Sequence, residues 1–276
     1  MTKTALVTGA SAGIGEETAR KLQSLGYTVY GAARRTDRLQ KLAGEGIRPL
    51  AMDVTDDASM TAGIETIIAE TGRIDVLVNN AGYGSYGAIE DVPIDEARRQ
   101  FEVNMFGLGR LVQLVLPQMR ARKSGTIVNV SSMGGKLHTP LGGWYHATKF
   151  AVEGFSDALR MEVAPFGINV VVIEPGGIRT EWAGIAADHL EETARGSAYA
   201  PQITAVAKTM RSEAIAKRQS PPSVIADAIG KAVTARRPRT RYAIGFTAKP
   251  LITTRRLLSD RAFDRVIGTA MGLPRN

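Results

Sequence analysis

An octet near the start of the chain, Thr8-Gly9-Ala10-Ser11-Ala12-Gly13-Ile14-Gly15, constrains the fold more than any other stretch. It follows a short apolar, β-branched run at Thr4–Thr8 and opens an amphipathic run near 14–25. Strand, glycine turn and helix in that order make the first half of a βαβ unit. The alternation then repeats. Strand-like runs at Thr28–Ala32, Ile47–Met52, Val76–Asn79, Thr126–Ser131, Asn169–Glu174 and Tyr242–Ile244 are separated by helical patterns near 36–43, 56–71, 94–120, 144–164 and 222–236. The strands are apolar on both faces, as a parallel sheet covered by helices on both sides requires. The pattern predicts an α/β fold: a single doubly wound domain over 1–245 with a seven-stranded parallel sheet.

Two regions break the alternation. Residues 180–221 hold no clear strand and end at Pro221-Pro222, so they read as a helical lid inserted between a strand and the next helix. Residues 246–276 follow the last strand. There Leu258, Ala262, Val266 and Ala270 recur at four-residue steps beside Phe263 and Ile267. This predicts one short amphipathic helix with arginines on its other face, a basic helical extension of the same domain.

The octet also carries chemistry. Gly9 permits a sharp turn, Gly13 lets backbone approach a pyrophosphate, and Gly15 lets helix pack closely on strand. The free N–H groups at the helix start then offer positive charge to phosphates, with Ser11 and Ile14 in the same turn. Together they predict a Rossmann-type dinucleotide site. A second glycine set, Gly82, Gly84 and Gly87, opens no helix and reads as a flexible loop. The second strand selects the cofactor. A chain that binds NAD normally ends this strand with an acid that holds the ribose 2′-hydroxyl. Here Ala33 stands in that place, followed by Arg34 and Arg35, whose guanidinium groups suit a 2′-phosphate. NADP(H) is therefore expected over NAD(H).

Tyr145 and Lys149 are four residues apart in a helical pattern and share one face. A nearby ammonium favours a phenolate and lowers the tyrosine pKa. Ser131-Ser132 and Asn79-Asn80-Ala81-Gly82 end strands on the sheet edge that also holds the octet. Ligands bind at that edge in open α/β sheets.

With these pieces in place the chain resembles the short-chain dehydrogenase/reductase family over about residues 3–245, and within it most the 17β-hydroxysteroid-dehydrogenase-like subgroup. The matching segments are Thr8–Gly15, Asp53-Val54, Asn79–Gly82, Asn104, Ser132, Tyr145 with Lys149, and Pro175-Gly176 with Ile178 and Thr180. The resemblance implies an NADP(H)-dependent oxidoreductase that interconverts an alcohol and a ketone or aldehyde. Tyr145 would be the general acid–base, and Lys149 would lower its pKa and hold the nicotinamide ribose. Ser132 would hydrogen-bond the substrate oxygen, and Asn104 would position a water beside Lys149. Asp53 and Val54 would contact adenine, and Asn80 with Ala81 and Gly82 the adjoining ribose region. Thr180 would hold the carboxamide, with Pro175, Gly176 and Ile178 shaping its pocket. A cofactor-binding regulator or scaffold that does not turn over is the open alternative. An epimerase or dehydratase of the extended branch is a weaker one.

Trp182, Ile185, Leu190, Tyr199, Ile203, Val206 and Met210 in the lid, with Met133, Leu137 and Trp144, point to an apolar steroid-, retinoid- or lipid-like substrate. Packing of a helical flap would use the same residues. Composition narrows the partners. The net charge is +8, yet residues 236–276 alone hold ten basic groups and two acids, so the first 235 residues are neutral. No nucleic-acid motif accompanies the surplus. A solvated helical face is the default, and a weak peripheral contact of 246–276 with anionic lipid is the sharper reading. No metal is expected, because His138, His146 and His189 lack ligand spacing and there is no cysteine. His146 reads as a packing or surface residue. Asn129-Val130-Ser131 matches a glycosylation sequon inside an apolar run, by chance. The absence of cysteine and of a leader pattern fits a cytoplasmic location. The resemblance implies a homodimer or homotetramer through the long helices at 94–120 and 144–164.

Overall fold

Seven parallel strands form one sheet in the order β3-β2-β1-β4-β5-β6-β7. They are β1 (Thr4–Thr8), β2 (Thr28–Ala33), β3 (Arg48–Ala51), β4 (Val76–Asn79), β5 (Gly125–Val130), β6 (Ile168–Pro175) and β7 (Arg241–Ile244). The computed structural model describes residues 2–273; Arg275, one of the basic groups of the tail, lies outside them. The strand order reverses between β1 and β4, which opens a crevice at the carboxyl edge of the sheet.

Side-chain alternation divides each strand between two cores. Ala5, Val7, Val76, Val78, Val128, Val171 and Ile173 face one layer, with Leu22, Leu39, Ile225 and Ile229 from α1 (Gly13–Ser24), α2 (Thr36–Ala43) and α10 (Ser223–Thr234). Leu6, Leu77, Ile127 and Val170 face the other. They meet Ile64, Leu111, Val115 and Val152 from α3 (Asp57–Thr71), α5 (Gly107–Ala121) and α6 (Gly143–Val163). Each fully buried Leu, Ile or Val contributes about 1.5–3 kcal/mol, so the two layers fix the sheet and the register of its carboxyl edge.

The long helical run expected over 94–120 is not continuous. It comprises α4 (Ile94–Phe101), a π-helical turn at Glu102–Phe106, and α5. Such turns are rare and often lie at functional sites. This one holds Asn104, which is buried. The sequon residue Asn129 is also buried, bonded to Asn79 and Ser156 between sheet and α6, out of reach of any modifying enzyme.

The lid region folds as α7 (Trp182–Glu192), α8 (Ala200–Met210) and α9 (Glu213–Arg218). A bridge between Ile178 and Ser220 ties its two ends together. The tail corrects the sequence reading. It forms two helices, α11 (Ala248–Leu257) and α12 (Asp260–Ala270). The face of α12 that is buried carries Phe263 and Ile267, whereas Val266 of the four-residue stripe is exposed. The stripe misled because Phe263 and Ile267 bury far more apolar surface than the alanines in it. Those two residues pack on Leu137, with Met133, Leu251 and Met271 around them.

Candidate active site

The carboxyl edge of the sheet opens into a cavity of about 650 Å³, within the range of small-molecule and cofactor sites. Its floor at one end is the glycine octet. Gly9 and Gly13 have φ of 65° and 57°, a region that L side chains rarely adopt. A Cβ on Gly13 would project across the cavity to within 3.0 Å of Thr180 Cγ2. Gly15 does not line the cavity. A Cβ there would lie 2.2 Å from Gly9 O, so its bareness serves the packing of α1 on the turn. Asn80 holds the turn from the other side, its amide donating to Thr8 O at 2.9 Å and Gly9 O at 3.3 Å. Ala12 caps α1 without a side-chain hydrogen bond, so the first N–H groups of the helix have no side-chain partner there.

Arg34 and Arg35 follow β2, line the cavity and are exposed. Arg35 Nη2 donates to Ser11 Oγ at 3.4 Å. Asp53 closes this corner. Burial pushes its carboxyl up, but hydrogen bonds from the Thr55 N–H and hydroxyl and the charges of Arg34 and Arg99 outweigh that, and it sits below its ordinary value. Val54, Ala81, Gly82, Pro175, Gly176, Ile178 and Thr180 complete the wall, and Thr180 Oγ1 accepts from Trp182 N at 3.3 Å.

Ser132, Tyr145 and Lys149 meet in the same cavity, with Lys149 Nζ beside Gly82. Ser132 follows β5, and its Oγ accepts from Gly134 N at 3.0 Å, which shapes the short turn Met133–Gly135. Ser131 next to it is buried with its Oγ unpartnered among the described residues. Burial pushes the Tyr145 phenol up to about 12, with the Ser132 hydroxyl beside it pulling the other way. Lys149 Nζ lies 5.9 Å from the Tyr145 ring centre and donates to Val130 O at 3.0 Å. Burial lowers its pKa to about 8, partly offset by the Glu153 carboxylate. Such an ammonium titrates near neutrality, where it can bias the phenol.

Residues 3–190 match the short chain dehydrogenase family, and that stretch contains the octet, Ser132, Tyr145 and Lys149. The chain belongs to this family. It is 38% identical over 241 residues to a 3-ketodihydrosphingosine reductase of Bacteroides thetaiotaomicron, covering 87% of each chain. It is 33% identical over 274 residues to an NADPH-dependent 3-dehydrocapnine reductase of Ornithobacterium rhinotracheale, covering 95% of each. A solved short-chain dehydrogenase from Streptomyces avermitilis superposes with a TM-score of 0.78 at 36% identity, covering 95% of this chain and 94% of that one. The protein is therefore a short-chain oxidoreductase with a nucleotide-binding site. No helix among its described residues is long and apolar enough to cross a membrane.

Asn104 of this short-chain dehydrogenase sits behind the cavity wall, next to Val103, which lines it. Its side chain does not line the cavity. Oδ1 accepts from Tyr83 N at 3.0 Å, and Nδ2 donates to Tyr83 O at 2.9 Å and to Thr148 Oγ1 at 3.1 Å. Both amide hydrogens are engaged in clamping the 81–86 loop to α6, while Oδ1 keeps a lone pair that can accept from a water.

Three features of the site go beyond the sequence reading. His146 is buried and joins α6 to the Ser132 loop: Thr139 N donates to Nε2 at 2.9 Å, and Nδ1 lies 2.9 Å from Gly134 O. Tyr86 stacks near Tyr145 and Trp182, with ring centres 5.7 and 5.8 Å away. The tail supplies Phe246, Thr247, Leu251, Ala270 and Met271 to the cavity wall. It is part of the site rather than an appendage. In the lid, Trp182, Ile185 and Met210 face the cavity, whereas Leu190, Ile203 and Val206 form the lid's own core.

Proposed function

We propose that this short-chain dehydrogenase reduces a ketone or aldehyde of an apolar, chain- or ring-bearing molecule with NADPH, or runs the reverse oxidation with NADP. The convergence of Ser132, Tyr145 and Lys149 in the cavity that also holds Arg34 and Arg35 carries this reading. The donors fit a dinucleotide: helix N–H groups for a diphosphate, a Cβ-free approach at Gly13, and two exposed guanidinium groups for a 2′-phosphate.

A nicotinamide dinucleotide bound there supplies or accepts the hydride. The chain handles the proton. Tyr145 Oη gives a proton to the substrate oxygen in reduction and takes it back in oxidation. Ser132 Oγ donates a hydrogen bond to the same oxygen as negative charge develops on it. Lys149, charged, favours the phenolate that Tyr145 becomes and holds ribose hydroxyls. Asp53, Val54, Asn80, Ala81 and Gly82 hold the adenine half, and Pro175, Gly176, Ile178 and Thr180 the nicotinamide half. Asn104 holds the 81–86 loop and positions a water beside Lys149.

The wall built by Met133, Leu137, Trp182, Met210, Leu251 and Met271 favours an apolar substrate. The two relatives are named as reductases, one of 3-ketodihydrosphingosine and one of 3-dehydrocapnine. The finer resemblance to the 17β-hydroxysteroid-dehydrogenase-like subgroup rests on Val29–Val54 and 241–276. A panel of long-chain 3-ketones, steroid ketones and retinoid aldehydes, followed by NADPH absorbance, tests the reading. Turnover of at least one apolar carbonyl is expected; consumption of only small polar aldehydes, or of none, overturns it.

Assembly and surface contact belong to the same proposal. Phe106, Phe150 and Met161 are exposed on the π turn and α6, which suits a homodimer or homotetramer through these helices. Exposed Arg256, Arg261 and Arg265 with Leu257 suit a weak contact with anionic lipid. Light scattering and vesicle flotation test the two.

A further inference from the structure

Beneath the catalytic pair lies a buried cluster of charges that the proton chemistry above does not use. Tyr145, Lys149, Glu153 and Asp157 follow one another at four-residue steps along α6, so they form one stripe of its inner face. Lys149 and Glu153 are both buried. A buried carboxylate is costly unless cations meet it. Two do. Lys136, just after the Ser132 turn, places Nζ 2.7 Å from Glu153 Oε2, and Arg241 of β7 places Nε 3.0 Å from the same oxygen. The second carboxylate oxygen of Glu153 has no hydrogen-bond partner among the described residues.

The other charges around Glu153 come from every element packed on it. Glu174 of β6 is buried, 3.4 Å from Arg241 Nε and 3.9 Å from Lys136 Nζ. Burial and the Glu153 charge push the Glu174 carboxyl up. Asp157 pairs with Arg241 Nη2 at 2.7 Å and with Arg160, and these bonds bring it down to about 2. From α11, Arg256 acts on Glu174. On the side facing the cavity the charge next to Glu153 is Lys149, whose ammonium Glu153 favours against burial.

Arg241 also joins β7 to α6 through Asp157, at the more exposed end of the stripe. Glu153 adds a buried negative charge one turn below Lys149. We propose that Glu153 is a positioning residue that keeps Lys149 charged beside Tyr145, with Lys136 and Arg241 holding Glu153 ionised for that task. The inference rests on the reading of Tyr145 as the acid–base only for its kinetic consequence. The effect on Lys149 stands by itself.

The test reads Lys149 directly. Enzyme carrying ε-¹³C-lysine is titrated by NMR, and the Lys149 signal is assigned with Lys149→Met. Glu153→Gln removes the charge at nearly constant volume. It is expected to lower the Lys149 titration midpoint by about one pH unit. Glu153→Asp is expected to stay close to the unaltered enzyme. Glu174→Gln, which perturbs the same cluster without touching that charge, is expected to leave the midpoint in place. Should Glu153→Gln not fold, Glu153→Met combined with Arg241→Met removes the buried pair together and is expected to shift the midpoint the same way. An unmoved midpoint in the folded variant, or an equal shift in Glu174→Gln, overturns the proposal. In kinetics, a less charged Lys149 disfavours the Tyr145 phenolate, so the acid limb of alcohol oxidation moves to higher pH in Glu153→Gln. A limb moving to lower pH counts against the inference. Failure of the unaltered enzyme to turn over any alcohol or carbonyl compound would overturn the functional reading and leave the NMR result to decide this one.

Discussion

The two ends of the cavity are built by different means. The cofactor end relies on backbone: a glycine turn, the N-terminus of α1, and an Asn80 amide that bonds the turn's own carbonyls. The far end relies on side chains from separate parts of the chain: Trp182 from the lid, Leu137 from the loop after β5, Leu251 and Met271 from the tail. Backbone geometry tolerates few residue types, so it leaves a local signature. An apolar wall tolerates many, and its members are brought together only by packing. Chemistry at the cofactor end should therefore break with single atoms, and the wall should change only what is bound.

The largest effect is expected from Tyr145→Phe. It removes one oxygen from a buried ring whose neighbours Tyr86 and Trp182 hold it in place. Turnover should fall by about 10³-fold or more, while NADPH affinity by fluorescence titration stays within a few-fold. Retention of most activity would mean that the proton travels elsewhere. Ser132→Ala should cost on the order of a hundredfold in kcat, with a smaller effect on KM. It also removes the acceptor for Gly134 N, so near-ultraviolet circular dichroism should be compared to exclude a displaced turn.

Cofactor choice comes next in size. Arg34→Ser with Arg35→Ser removes two exposed cations from the cavity rim. NADPH should bind about 10–100-fold more weakly, as expected for charged hydrogen bonds, and NADH should be unaffected. Equal affinities for NADPH and NADH in the unaltered enzyme would remove the argument from Ala33, Arg34 and Arg35.

The same contrast explains what was legible in the sequence. All seven strands lie within a residue or two of their expected places: the inner five, buried on both faces, are continuous apolar runs, and the edge strands β3 and β7, less buried, are marked by their place in the alternation. Ser132, Tyr145 and Lys149 share the cavity with the octet, as their positions on strand end and helix face required. The tail was misread. Its four-residue stripe suggested one helical extension of the domain with Val266 on the apolar face, but a long-range contact between Phe263 and Leu137 decides which face is buried. No local pattern encodes a partner more than a hundred residues away. The hydrogen-bond partners of Asn104 and His146 were hidden for a related reason: they are set by how loops close, not by spacing.

At the wall the effect should be modest and selective. Leu251→Ala with Met271→Ala enlarges the cavity between lid and tail. KM for a long-chain or steroid carbonyl should rise about tenfold, with kcat nearly unchanged and small aldehydes unaffected. A loss of kcat for small aldehydes as well would mean that the tail supports the catalytic groups rather than the substrate.

The smallest effect concerns stability and pH. Thr139 N donates to His146 Nε2, so that nitrogen must keep a lone pair, and Nδ1–H donates to Gly134 O. Protonation would set two donors against each other. Burial is the larger cause that pushes the His146 pKa down in the folded enzyme, with the Gly134 carbonyl pulling weakly the other way. The unfolded chain then binds a proton at this residue while the folded one does not. Stability must rise with pH through this window and fall as pH drops below about 6.5, with a slope of at most about 1.4 kcal/mol per unit. His146→Asn removes the titrating ring. Its urea-unfolding free energy should be lower than that of the unaltered enzyme at pH 7.5, and the gap should narrow at pH 5.5. A gap independent of pH would show that His146 is protonated, or released, without cost in the folded state.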